Sequence, residues 1–165
     1  MQLPPVYRAP MRARDRDLSA GVGAAHGVKH GLVGIGDALP SPPATIDQAT
    51  SDATEVHGAK DGRMVYAFAQ VPDGAFVWTQ MPDESYRLGR IAGTWRYDDS
   101  PEARRVGIHH VRDVAWLERR FAEEDLPAAI VGTFARGGRN FQRIHDEETA
   151  VWAARVWDSA DEAQI

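Results

Sequence analysis

Apolar and polar positions change their period along the chain, and those changes mark out the expected elements. Val6-Tyr7-Arg8, bounded by prolines, reads as a short strand, and "MRARDRDLSAGVG" after it as a polar loop. "AAHGVKHG" reads as a short helical segment ending at Gly31, and "LVGIGDAL" as a buried apolar strand. Prolines close that strand, and Thr45 or Asp47 is placed to cap a helix. A further helix is expected across "RMVYAFAQVP", where Met64, Phe68 and Val71 share a face, with a turn at Pro72-Asp73-Gly74. The period then drops to two: Phe76 and Trp78 alternate with Val77 and Thr79. Strands are expected at 75–80, 86–97 and 106–114, with Gly89 and Gly93 as bend or bulge points. Helices are expected near 115–124 and 147–157, and "RNFQRIHD" as a last strand, while "LPAAIVGTFARGG" stays ambiguous. The sum is one α+β domain over residues 1–165, a curved β-barrel with helices packed outside it.

Composition removes several chemistries. A chain of 165 residues can bury a real core without staples. The absence of cysteine excludes disulfides, thiolate zinc sites and a thiol nucleophile. The N-terminal segment is rich in arginine and has no continuous apolar run, so neither a signal peptide nor a membrane span is expected, and the expected location is cytoplasmic. The net charge of −5 argues weakly against nucleic acid. Its distribution argues less so: acids gather near the C-terminus, and arginines gather between Arg87 and Arg112 and again at Arg8, Arg12, Arg14 and Arg16. The 17 arginines against 2 lysines suit bidentate phosphate or base contacts, although a high-GC genome yields the same bias.

No catalytic constellation stands out. His109 and His110 are adjacent, so on a strand they point to opposite faces and cannot share one ion. The acids of "HDEE" at 145–148 sit at an expected helix start, where they belong electrostatically. No serine lies in a nucleophile elbow, and "GVGAAHG" lacks the full dinucleotide-binding spacing. The expectation is a protein that is not an enzyme and has no metal or cofactor.

The order "VYRAP", "GLVGIGDAL", "GAFVWTQ", "YRLGRIAGTWRYDDSPEARRVGIHHVRDVAWL" and "RNFQRI" carries a resemblance. It resembles the EVE-like branch of the PUA superfamily, whose modules occur in modification-dependent (type IV) restriction systems. The match is best from Gly74 to Leu117 and looser outside that run. The resemblance implies a PUA-like (EVE/SRA-like) barrel with a concave pocket, in which a flipped base is held between aromatic rings. Taking a base out of the stack costs a few kcal/mol. Aromatic stacking returns roughly 1–3 kcal/mol per base, and arginine contacts to phosphate add to it.

On that resemblance the expected function is a reader of modified DNA, binding 5-methylcytosine in duplex DNA by base flipping. A separate nuclease or NTPase subunit would carry out any cleavage, and no membrane is involved. The expected base-binding pocket is Asp37, Trp78, Trp95, Tyr97 and Tyr7. The expected contacts to the DNA backbone are Arg8, Arg12, Arg14, Arg16, Arg90 and Arg112. Asp37 stands where many relatives have Trp, so a carboxylate that can accept from cytosine N4 replaces a ring. Asp37 as a simple cap and Trp78 as a simple core residue remain open alternatives. So do an RNA-binding PUA-type module and a small-molecule binder or enzyme built in the same pocket.

Overall fold

The computed structural model describes residues 2–14 and 18–163. Seven strands form one sheet: β1 (Val6–Arg8), β2 (Leu32–Ile35), β3 (Phe76–Gln80), β4 (Tyr86–Ile91), β5 (Arg96–Tyr97), β6 (His110–Trp116) and β7 (Gln142–Arg143). The order is β2-β6-β4-β3-β1-β7, with β5 paired to β6. β1 runs parallel to β3 and the other pairs are antiparallel. Six helices lie outside this curled, half-barrel sheet: α1 (Val22–His30), α2 (Ile46–His57), α3 (Ala59–Gln70), α4 (Pro101–Val106), α5 (Ala128–Ala135) and α6 (Glu147–Ala163).

Alternation along β1 and β3 divides the interior into two clusters. Val6, Phe76 and Trp78 pack with Leu88, Phe121, Ile130 and Ala153, under α5 and α6. Val77 joins Val33, Ile35, Val65, Phe68 and Val111, under α1, α2 and α3. Each fully buried Leu, Ile or Phe contributes about 1.5–3 kcal/mol, so both clusters are substantial.

Several local signals act as the sequence implies. The Thr45 hydroxyl caps α2 by accepting from Gln48 N, and Gly31 closes α1 in the left-handed conformation. Three expectations need correction. The stretch 86–97 is not one strand: β4 and β5 both pair with β6, but Ala92–Trp95 lie opposite only Arg112 and Asp113. The surplus residues bulge, and they bend the sheet at Gly93. Strand 106–114 begins only at His110, because Ser100, Pro101 and Gly107 cap a helical turn ahead of it. The expected helix at 115–124 is absent. Leu117 N donates to Leu88 O, and Phe121 pairs with Tyr86, so that backbone extends the sheet instead and only Glu123–Asp125 turn helically.

Candidate functional site: a buried carboxylate ringed by arginines

A concave site lined by Arg12, Asp37, Asp61, His110 and Arg139 lies at the β2 edge of the sheet. β2 ends at Ile35, and Gly36-Asp37 carry the chain over the α2–α3 junction. Gly58 (φ 107°) turns the chain between those helices and brings His57, the last residue of α2, beside Asp61 in the first turn of α3. On the other side α1 packs against Met11 so closely that a Cβ at Gly23 would lie 1.9 Å from Met11 O. Met11 itself holds a left-handed backbone (φ 50°), unfavourable for a side-chain-bearing residue, just before Arg12 and Arg14.

Asp37 is the hub. Its side chain is only 8% exposed, yet two arginines reach it. Arg14 donates from Nη2 (2.7 Å) and Nε (3.1 Å) to Asp37 Oδ2, and from Nη2 to Asp61 Oδ2 at 3.2 Å. Arg139 Nη1 lies 3.3 Å from Asp37 Oδ1 and 3.4 Å from Oδ2. Burial pushes the Asp37 carboxyl up, but hydrogen bonds from Arg14 and Asp61 and the charges of Arg139 and Arg14 outweigh it and hold it at about 2. Asp61 moves the other way, raised by burial, then by its hydrogen bond to Asp37 and the charge of that neighbour. The two carboxyls are therefore pushed apart, Asp37 becoming the stronger acid.

His110, 1% exposed on β6, lines the same pocket with Ile35, Gly36, Met64 and Val65. Its Nδ1 accepts from Trp95 Nε1 at 3.1 Å. Burial, then the neighbouring His109, lower its pKa to about 4 against a smaller opposing pull from Asp37, so the ring is neutral at pH 7 and carries its proton on Nε2. The cavity that remains measures about 20 Å³, room for no more than a water.

Asp37, His57 and Asp61 offer ligand atoms within 4.8 Å of one another, a grouping with the residue types of a cation site. His57 Nε2 donates to Ala38 O at 2.8 Å. The two guanidinium groups compete with a cation for the same carboxylate oxygens.

The expected site residues do not converge. Asp37, Arg12 and Arg14 meet at this pocket. Trp95 supports it from behind through His110. Tyr97 stacks on His109 and accepts from Leu39 N at 2.9 Å, which anchors the segment after Asp37. Tyr7 stacks on Phe141, 4.9 Å between centroids, outside the pocket wall. Trp78 requires a correction: it is fully buried among Phe121 and Trp152 in the other cluster and offers no surface to a ligand.

Two of the expected phosphate arginines, Arg8 and Arg112, are structural, and a third, Arg90, is half-buried. Arg8 is buried and donates to the carbonyls of Asn140, Thr133 and Gly137, tying down the end of α5. Arg112, also buried, donates to Gly93 O, to Phe68 O and Val71 O at the end of α3, and to Asp73. Arg90 donates to Gly74 O and lies over Phe76, 4.8 Å from the ring centroid. A buried guanidinium with its donors taken by carbonyls cannot turn to phosphate without leaving those acceptors unpaired. Arg16 lies outside the described residues.

Asp61, His57, Arg139 and His110 are site residues that spacing along the chain does not reveal, because they arrive from four separate segments. Comparison with protein-family models, with curated proteins and with solved structures returned no match.

Proposed function

We propose that the protein is a reader of modified DNA that takes 5-methylcytosine out of duplex DNA and holds its amino edge against Asp37. One observation carries the reading. A buried, ionised carboxylate, Asp37, lines a pocket together with Arg12 and Arg139, and half-exposed Arg14 pairs with it. An acceptor in the pocket suits the N4 amino donor of cytosine, and cationic groups beside it suit the flanking phosphates. The curled mixed sheet with outer helices is compatible with a curved barrel, the architecture that the reading needs. With Trp78 in the core, recognition rests on hydrogen bonds more than on an aromatic cage. Arg14, half-exposed, holds the carboxylate oxygen that the base would take. It swings out when a base enters, which frees its guanidinium for the DNA backbone. Any strand cleavage belongs to a separate nuclease or NTPase subunit.

The test is binding at fixed salt to methylated duplex, unmethylated duplex and RNA of the same sequence. Preference for methylated duplex is expected; equal binding to both duplexes, or preference for RNA, overturns the reading. The Asp37–His57–Asp61 grouping favours a second reading, a divalent-cation site. Calorimetric titration with Mn²⁺ separates the two: saturable binding abolished by Asp61→Asn supports the cation.

A further inference from the structure

Asp37 is an acceptor, and a base edge is not read by one group alone. Next to it lies an imidazole whose role in the fold accounts for only one of its two nitrogens. Trp95 Nε1 has a proton to give and no lone pair in the ring plane, so the 3.1 Å contact to His110 Nδ1 fixes that nitrogen as acceptor. In the neutral ring the other nitrogen, Nε2, then carries the hydrogen. The contact from Trp95 engages Nδ1 and not Nε2, in a residue that is 1% exposed. His110 also lines the pocket that holds Asp37, Asp61 and Arg139.

We infer that His110 Nε2–H is a second reading group, donating to the ring nitrogen that neighbours the amino group held by Asp37. The inference rests on the reading proposed above and names the edge that the site selects. Acceptor beside donor is the complement of an amino group beside an unprotonated ring nitrogen. Cytosine presents that edge at N4 and N3, and adenine presents it at N6 and N1. Thymine and uracil reverse it, with O4 facing a carboxylate and N3–H facing His110, so both contacts become repulsive. The Trp95 hydrogen bond is what prevents the imidazole from answering by moving its proton to Nδ1. Trp95 is thus a positioning residue, and His110 the one that touches the base.

The sharpest probe changes one atom of the ligand. Fluorescence anisotropy compares wild-type protein on duplexes carrying 5-methylcytosine, its 3-deaza analogue (C–H in place of N3), or N6-methyladenine, alongside unmethylated duplex. The 3-deaza duplex is expected to bind roughly five- to ten-fold more weakly than its parent, the loss of one hydrogen bond. In His110→Phe that difference disappears. The wild-type arm needs no folded variant, so the inference stays testable if His110→Phe destabilises the protein. Equal wild-type binding to the parent and 3-deaza duplexes, with methylated duplex still preferred over unmethylated, overturns His110 as a reader and leaves the Asp37 reading standing. Absence of any preference for methylated duplex overturns both. Preference for the N6-methyladenine duplex, with a similar loss on its 1-deaza analogue, supports His110 and moves the ligand to a purine.

Discussion

Under α5 and α6, Trp78 meets Phe121 at 5.3 Å and Trp152 at 5.7 Å between ring centroids, in a cluster of apolar side chains where Arg90 lies over Phe76 and Arg119 over Phe121. At the β2 edge Asp37, Asp61, Arg12, Arg139 and His110 line a cavity of about 20 Å³, and Arg14 and His57 lie beside the two carboxylates. Aromatic density and chemical density are therefore found in different places. Large rings are the most efficient way to bury area, so a tryptophan in mid-strand goes to the core by default. A carboxylate below a tenth exposed needs partners to stay ionised, and the partners recruited around Asp37 are what make that edge a site.

The comparison breaks most visibly at Trp78. Trp78→Ala should destabilise the fold by about 3–5 kcal/mol, read by urea denaturation, and a change below about 1 kcal/mol would return Trp78 to the surface. Trp78→Phe should be far milder. It keeps most of the packing and removes an indole N–H that has no partner among the described residues.

His110 sharpens the other side of the comparison. Its folded pKa of about 4 lies below the ordinary 6.5. As pH falls from about 6.5 towards 4 the unfolded chain takes up a proton that the folded protein refuses, and stability is lost across that window. The loss is on the order of 3 kcal/mol. The groups acting on the ring are His109 and His57, which disfavour its charge, and Asp37, which favours it. His26, also lowered by burial, adds a loss of the same sign. Denaturation of wild type and His110→Gln at pH 7 and pH 4.5 isolates the His110 share: the variant should lose less. Asp37 acts in a lower window. Its contribution is full above its free value of 3.8 and is lost as pH falls through about 2.

Asp37→Asn should weaken binding to modified duplex by about 1.5–3 kcal/mol, the scale of a hydrogen bond to a charged group, and leave unmodified duplex nearly unchanged. The smallest effect belongs to Arg14→Ala. A half-exposed ion pair contributes at most about 1 kcal/mol to stability. If the freed guanidinium meets a phosphate, the variant should lower the slope of log K against log salt by about 0.9. An unchanged slope would remove Arg14 from the backbone contacts.

Much of the architecture was legible because its signals are local. Thr45 caps α2, Gly31 stops α1, and the period-two run Phe76–Thr79 is β3. The errors came where local pattern and tertiary pairing disagree. Leu117 and Phe121 are spaced as on a helix face, yet their backbones are taken by Leu88 and Tyr86. Ser100-Pro101 is a helix start hidden between two strands. The site was half legible. Asp37 stands out through the resemblance, as a carboxylate where many relatives have Trp, and Arg12 and Arg14 as charges on the loop before α1. No spacing rule links Asp37 to Asp61, His110 or Arg139, because only the closed sheet edge brings them together. Arg8 and Arg112 looked free for the opposite reason: which carbonyls a long guanidinium reaches, here those of Thr133 and Phe68, is a property of the folded chain alone.

The most direct test of where the site lies compares two variants in one assay. The ratio of affinities for methylated and unmethylated duplex is measured for wild type, Asp37→Asn and Trp78→Phe, each first confirmed to be folded. The polar edge as reading site predicts that the ratio collapses towards one in Asp37→Asn and stays at the wild-type value in Trp78→Phe. A ratio that survives Asp37→Asn and collapses in Trp78→Phe would contradict it and place recognition on the aromatic side of the sheet.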